Sequence, residues 1–153
     1  MDLRTRLNAG VKSAMKAKEV ERLATLRLVN AALKERDIVA RSEGRGEEVG
    51  EDEILSLLAK MIKQRHESAR VYEEGGRIEL ADKERAEITF IEAYLPKQLS
   101  EAEVEAAIAA AVEATGATSL RDMGSVMGAL KAQYTGQIDF GKVGPMVKAR
   151  LSS

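Results

Sequence analysis

Apolar residues return every three to four positions along most of this chain, the period of a helix that buries one face. The first such stretch covers about residues 2–17. A second, about 19–41, places Leu23, Leu26, Val29 and Leu33 on one side. SEGRGEEVGE, residues 42–51, holds three glycines and no period, and reads as a loop. A third helix follows to about residue 74, with Ile54, Leu58, Met61, Ile62, Ala69 and Tyr72 at helical spacing, and Gly75 and Gly76 close it. A fourth, about 77–94, turns Ala81, Ile88, Ile91 and Leu95 inward. Short connections between long helices favour antiparallel neighbours. Residues 1–95 therefore read as a domain of two helical hairpins packed together.

LPKQLS, 95–100, interrupts the pattern. Pro96 disfavours helical geometry at Leu95 and limits continuation beyond it. Ser100 and Glu103 then match a capping box, which starts a new helix. That helix carries Val104, Ile108, Ala111, Val112 and Thr115, and Gly116 ends it. Ser119 and Asp122 form a second capping pair ahead of a helix with Met123, Val126, Met127, Leu130 and Tyr134 on one stripe, ended by Gly136. Asp139 caps a last helix that runs to about Leu151. The expectation is an all-α chain, with a four-helix domain over 1–95 and a small three-helix domain over 96–153.

Composition sharpens this picture. Of 153 residues, 44% are hydrophobic and 32% charged, a globular balance, and only two are proline. With no cysteine, disulfides, thiol catalysis and thiolate metal sites are excluded, and a single histidine excludes a multi-histidine metal site. No catalytic constellation, metal or cofactor is read from the residues. No run approaches the roughly 18 apolar residues of a membrane span, and MDLRTRLNAG lacks a signal-peptide core. The expected compartment is the cytoplasm.

The net charge of −1 hides a local bias. Residues 1–41 hold ten basic and five acidic side chains, and residues 119–153 hold five basic and two acidic ones. Local sign decides whether an anionic partner is steered to a surface.

One stretch is costly for a helix. DMGSVMGALK, 122–131, contains Gly124 and Gly128. Each glycine inside a helix costs about 1 kcal/mol against alanine, although EAAIAAAVEA nearby shows that this chain uses alanine freely. Four positions apart, the two glycines share a face and form a smooth notch. Either another helix packs closely there, or a ligand backbone approaches where no Cβ shields the peptide units. The notch lies near the loop YTGQID and the start of the last helix at FGK, 140–142. A helix start offers free N–H groups to phosphate. With Lys131, Lys142, Lys148 and Arg150 in reach, this reads as a phosphate-backbone docking surface. GSVMGALK is not a Walker loop, since the Lys-Ser/Thr pair is missing.

Four stretches together carry a family likeness. They are LRLVNAALKERDI (26–38), IKQRHESARVYEEGGRIELADKERAEI (62–88), IEAYLPKQLSEAEV (91–104) and DMGSVMGALKAQYTGQIDFGKV (122–143). Over nearly its full length the chain resembles the YqeY family of the GatB/YqeY group. The last stretch resembles the tail of GatB, a subunit of the tRNA-dependent amidotransferase. The resemblance implies a two-part all-α fold and, by analogy between modules, binding of tRNA or another structured RNA. It also invites the name of a carbon–nitrogen ligase with glutamine as amido donor. The segment that would hold that chemistry is absent from these 153 residues, so no such turnover is expected.

The expected RNA contacts are Arg121, Lys131, Lys142 and Lys148 to phosphates, close approach at Gly124 and Gly128, and Gln137 to a base edge or sugar hydroxyl. A protein partner, including one from the tRNA-aminoacylation machinery, is the alternative occupant. Pro145 departs from the uninterrupted last helix of the family and is expected to kink or delay it.

Lys63, Gln64 and Arg65 match a KQR of the family and either touch RNA or a partner, or hold the hairpin against Glu84 or Glu87. His66 lies on an exposed face without a nucleophile to serve. Glu73, Glu74, Glu79, Asp82, Glu84 and Glu87 alternate with Lys83 and Arg85 as on a solvated helix. Tyr134 and Phe140 either stack on an unpaired base or close a small core.

Overall fold

The computed structural model describes residues 2–152. The chain is all-helical, as the apolar period predicts, with no strand among the described residues. The helices are α1 (Leu3–Ala17), α2 (Val20–Ser42), α3 (Glu51–Glu74), α4 (Ile78–Glu92), α5 (Glu101–Thr115), α6 (Met123–Tyr134) and α7 (Phe140–Ser152), with a single 3-10 turn, Leu120–Asp122, leading into α6. They gather into two compact units that part between Leu95 and Pro96.

In the first unit α1 packs on α2, α3 packs on α4, and α2 joins the hairpins mainly through α4. Leu7, Leu26, Ile54, Leu58 and Ile91 lose essentially all solvent contact. Burying a side chain of this size stabilises by about 1.5–3 kcal/mol against leaving it exposed. Gly76 closes the α3–α4 turn at φ +75° and lets the Arg77 N–H return to the Tyr72 carbonyl at 2.8 Å. Tyr94, rather than Leu95, takes the last core position of this unit. Leu95 and Leu23 are only half-buried.

The glycine-rich loop is better anchored than its lack of period implies. The Asp37 carboxylate accepts two bonds from the Arg4 guanidinium, at 2.9 and 2.6 Å, and one from the Val49 N–H at 3.0 Å. Arg4 also donates to the Val49 carbonyl, and Val49 is buried. The Arg4 guanidinium, helped by the Val49 N–H, holds the Asp37 carboxyl below the usual carboxylate range against the effect of burial.

The second unit is built on α5, α6 and α7. Ala107, Ile108 and Ala111 face Val126 and Leu130, with Ile138, Val143, Val147 and Leu151 completing the core. Ser100 and Glu103 form the capping box read from the sequence. Thr115 is exposed rather than inward, and its hydroxyl bonds back to the Ala111 carbonyl. The expected effect of Pro145 also needs correction. α7 starts at Phe140, directly after its Asp139 cap, and continues through Pro145 to Ser152 without delay. Only one N–H is missing, and Val143, Val147 and Leu151 keep one buried stripe on both sides of the proline.

Candidate nucleic-acid interface

The 3-10 turn and α6 set the first side of the surface. Asp122 accepts the N–H groups of Thr118 and Ser119, at 2.9 and 3.1 Å, which anchors the turn and fixes where α6 begins. These bonds hold the Asp122 carboxyl below its ordinary range. From there Arg121, Gly124, Gly128 and Lys131 follow at three- and four-residue steps, all exposed on one stripe. Val126 and Leu130 anchor the opposite stripe in the core.

Among the described residues of the second unit, the two glycines do not serve helix packing. A methyl group built at Gly124 or Gly128 meets nothing within 4 Å. Neither has a positive φ that would demand glycine. Their cost to α6, about 1 kcal/mol each, is therefore not offset by any contact of the described chain. Of the two causes that the sequence leaves open, close approach of another helix of the same unit is not what the described residues show.

α7 supplies the second side. The Lys131 ammonium lies 6.0 Å from the centre of the Phe140 ring, so the end of α6 meets the start of α7 through a cation–π contact. Lys142, the third residue of α7, is exposed on the same first turn. Lys148 is exposed too, but six positions on it is rotated by about 120° around the helix from Lys142. Those two lysines therefore do not form one cluster.

The start of α7 differs from the expectation. Three N–H groups of its first turn are already bonded. The Asp139 carboxylate accepts the Gly141 N–H at 2.9 Å, and the Asp139 carbonyl accepts those of Lys142 and Val143, both at 3.1 Å. A carboxylate already stands where an anion would bind. The cationic side chains, not the helix end, are what this surface offers to phosphate.

Gln137 is set by a part of the chain that sequence reading treats only as a boundary. Its N–H donates to Tyr134, and its carbonyl accepts from Leu99 at 3.0 Å. The Gln98 amide donates to the Gly136 carbonyl. The segment after Pro96 thus straps the 135–139 loop in place, and the Gln137 side-chain amide makes no hydrogen bond among the described residues. No sequence signal joins Gln98 to Gly136 across 38 positions. Tyr134 and Phe140 both pack against the core while keeping an exposed part.

The acids near this face are occupied: Asp122 and Asp139 serve as helix caps. Among the described residues, Arg121, Lys131, Lys142 and Lys148 form no ion pair.

The KQR triplet divides. Lys63 and Gln64 are exposed on α3. Arg65 is committed to Glu87 at 2.9 Å and to the Met61 carbonyl at 3.1 Å, with both charged side chains mostly buried. Burial, together with the charge of Glu87, pushes the neighbouring Glu84 carboxyl up, while Arg65 opposes the shift. His66 is exposed. Among the described residues no three His, Cys, Asp or Glu side chains gather as metal ligands, and no helix is long and apolar enough to cross a membrane.

Among known proteins, the family described as Yqey-like protein matches residues 4–151. A curated relative from Lachancea thermotolerans, altered inheritance of mitochondria protein 41, mitochondrial, is 31% identical over 110 residues. That match covers 71% of this chain and 57% of the relative, so the chain spans little more than half of that protein's length.

Proposed function

The chain belongs to the Yqey-like family, and from that premise we propose that it binds structured RNA, tRNA above all, without turning it over. In this reading residues 96–153 are a docking domain beside a separate helical domain of residues 1–95. Lys131 and Lys142, with Arg121, neutralise phosphates along the α6 face, and Lys148 adds a contact from the other flank of α7. Gly124 and Gly128 let the phosphate backbone come close, and the Gln137 amide meets a base edge or a sugar hydroxyl. The observation that carries the reading is the pairing of an open glycine face with cations that have no acidic partner. A polyanion provides a reason for both, because glycine removes the steric barrier and unpaired lysines release counterions on binding.

The alternative occupant is a partner helix, for instance from a protein of the tRNA-charging machinery. Salt separates the two. Phosphate contacts give a steep loss of affinity with salt, and a helix in a groove gives a shallow one. The experiment is titration of folded tRNA at several salt concentrations, with a plain RNA duplex as control and the Lys131→Glu/Lys142→Glu variant beside it. Binding of tRNA above duplex, with a slope of several ions that the variant loses, is the expected result. Equal binding of tRNA and duplex, or none, overturns the reading. We place this binding in the cytoplasm. The mitochondrial name of the relative makes an organelle the alternative, and fractionation with a tagged chain decides.

A further inference from the structure

The loop that joins α6 to α7 keeps one polar side chain uncommitted. The Thr135 hydroxyl donates to the Lys131 carbonyl, and the Asp139 carboxylate accepts the Gly141 N–H. Ile138 is buried in the core of the second unit. Gln137 stands between them, half-buried, and its side-chain amide bonds to nothing among the described residues. Tyr134 and Phe140, three positions to either side of it, are half-buried as well.

The backbone behind that amide is held more firmly than a turn requires. Gly116 after α5 and Gly136 after α6 turn the chain in the same left-handed conformation, at φ +66° and +83°. Around Gly116 the turn is closed by local bonds alone, from Ala117 to Val112 and from Thr118 and Ser119 to Asp122. Around Gly136 the local bond is that of the Gln137 N–H to the Tyr134 carbonyl, at 2.9 Å. Two further bonds arrive from the strap. The Gln98 amide donates to the carbonyl of buried Gly136 across 38 positions, and the Leu99 N–H donates to the Gln137 carbonyl at 3.0 Å. These hold the peptide planes on both sides of the Gln137 Cα, which sets the direction in which its side chain leaves the loop. A side chain fixed in this way loses less freedom when it binds.

We propose that Gln98 is a positioning residue, which aims the Gln137 amide at an unpaired base of a folded RNA. This rests on the RNA-binding reading for the ligand, and adds how that site tells folded RNA from duplex. An amide carries donors and an acceptor and pairs with the edge of a base. In an RNA duplex those edges are paired and the major groove is too deep and narrow for a side chain, whereas the bases of loops and bulges present them. The phosphate charge is common to both. Lys131 and Lys142 therefore supply affinity for either ligand, and the strap supplies the preference.

The test uses the full chain, with folded tRNA and a plain RNA duplex as ligands. Wild type is compared with Gln98→Ala, Gln137→Ala and the double variant. Gln98→Ala is expected to reduce the preference for tRNA over duplex by about three- to tenfold, the range of one lost amide hydrogen bond. Its salt slope and duplex affinity should match wild type. The double variant should lose no more than Gln137→Ala alone, because a residue that acts only through another has no effect once that other is gone. Hydrogen exchange at the Leu99 and Gln137 amides, faster in Gln98→Ala than in wild type, reads the loosened strap without any RNA. Should Gln98→Ala melt early, Gln98→Met, which keeps the length of the side chain without its donor, takes its place. Additive losses in the double variant, a reduced salt slope in Gln98→Ala, or an unchanged preference there overturn the role of Gln98 and leave the RNA reading intact. Equal binding of tRNA and duplex by wild type, or none, overturns that reading and the positioning role with it.

Discussion

In α1, Tyr94 lies so close to Gly10 that a methyl group there would stand 2.0 Å from the tyrosine hydroxyl oxygen. In α6, a methyl group at Gly124 or Gly128 would meet nothing within 4 Å. Both units thus place glycine inside a helix at a cost of about 1 kcal/mol per residue, and only the first recovers that cost internally. Gly10 lets Tyr94 close over α1, where the Arg6 guanidinium sits 5.4 Å from its ring centre and donates to the Ala93 carbonyl. Arg22 stands beside the same hydroxyl. The α6 glycines close over nothing. The charges divide by residue type: arginines of the first unit are mostly locked to carboxylates, the acids of the α6–α7 face are spent on helix caps, and lysines of both units form no ion pair among the described residues. A helical glycine is internal when a side chain fills its notch, and points outward when the notch stays open among unpaired cations.

The contrast breaks most visibly in binding. Lys131→Glu/Lys142→Glu should lower tRNA affinity about 100-fold at low salt and leave thermal unfolding almost unchanged. If affinity survives, the open face is not the phosphate contact. Next comes the internal glycine. Gly10→Ala gains helix propensity but displaces Tyr94, and overpacking of this kind costs about 1–3 kcal/mol. A lowered denaturant midpoint is expected, and a raised one would mean that Tyr94 yields freely. The opposite sign is expected for Gly124→Ala/Gly128→Ala, which should stabilise the second unit by up to about 2 kcal/mol. Destabilisation there would reveal an internal contact and remove the distinction between the two kinds of glycine.

The smallest effect sharpens the charge side of the comparison. Asp37 has its pKa lowered in the folded chain, chiefly by Arg4. Its contribution is therefore present above the unfolded-state carboxylate value, about 3.9, and is lost as pH falls through the lower folded value. Asp37→Asn should cost about 1 kcal/mol at neutral pH, and the cost should shrink in acid. An unfolding series from pH 7 to pH 2 that shows a constant difference would mean that the Arg4–Asp37 pair carries no pH-dependent stability.

Most of the architecture was legible because it depends on local chemistry. The helical period and the Ser100 and Asp139 caps place helix starts within a residue or two, since each rests on bonds made within a few positions. The glycine notch was legible as an anomaly for the same reason. Its cause was not, and Gly10 passed unnoticed altogether, because Tyr94 lies 84 positions away in the chain. The Asp139 cap was read from the sequence, yet its consequence for the start of α7 emerged only with the geometry, where the carboxylate fills the place first assigned to phosphate.

By itself, the amino-acid sequence determined the all-helical class, the break near Pro96, the family and the small set of cations and glycines worth attention. The family was legible only as a likeness of whole stretches, whereas the rest follows from periodicity, caps and composition, which act over one or two helical turns. The tertiary structure alone decided which glycine is filled and which is open, which arginines are neutralised, and how the strap after Pro96 holds Gln137. Those outcomes depend on what lies opposite a residue in space, and pairing across dozens of positions is set by how helices pack, not by any local preference of the chain.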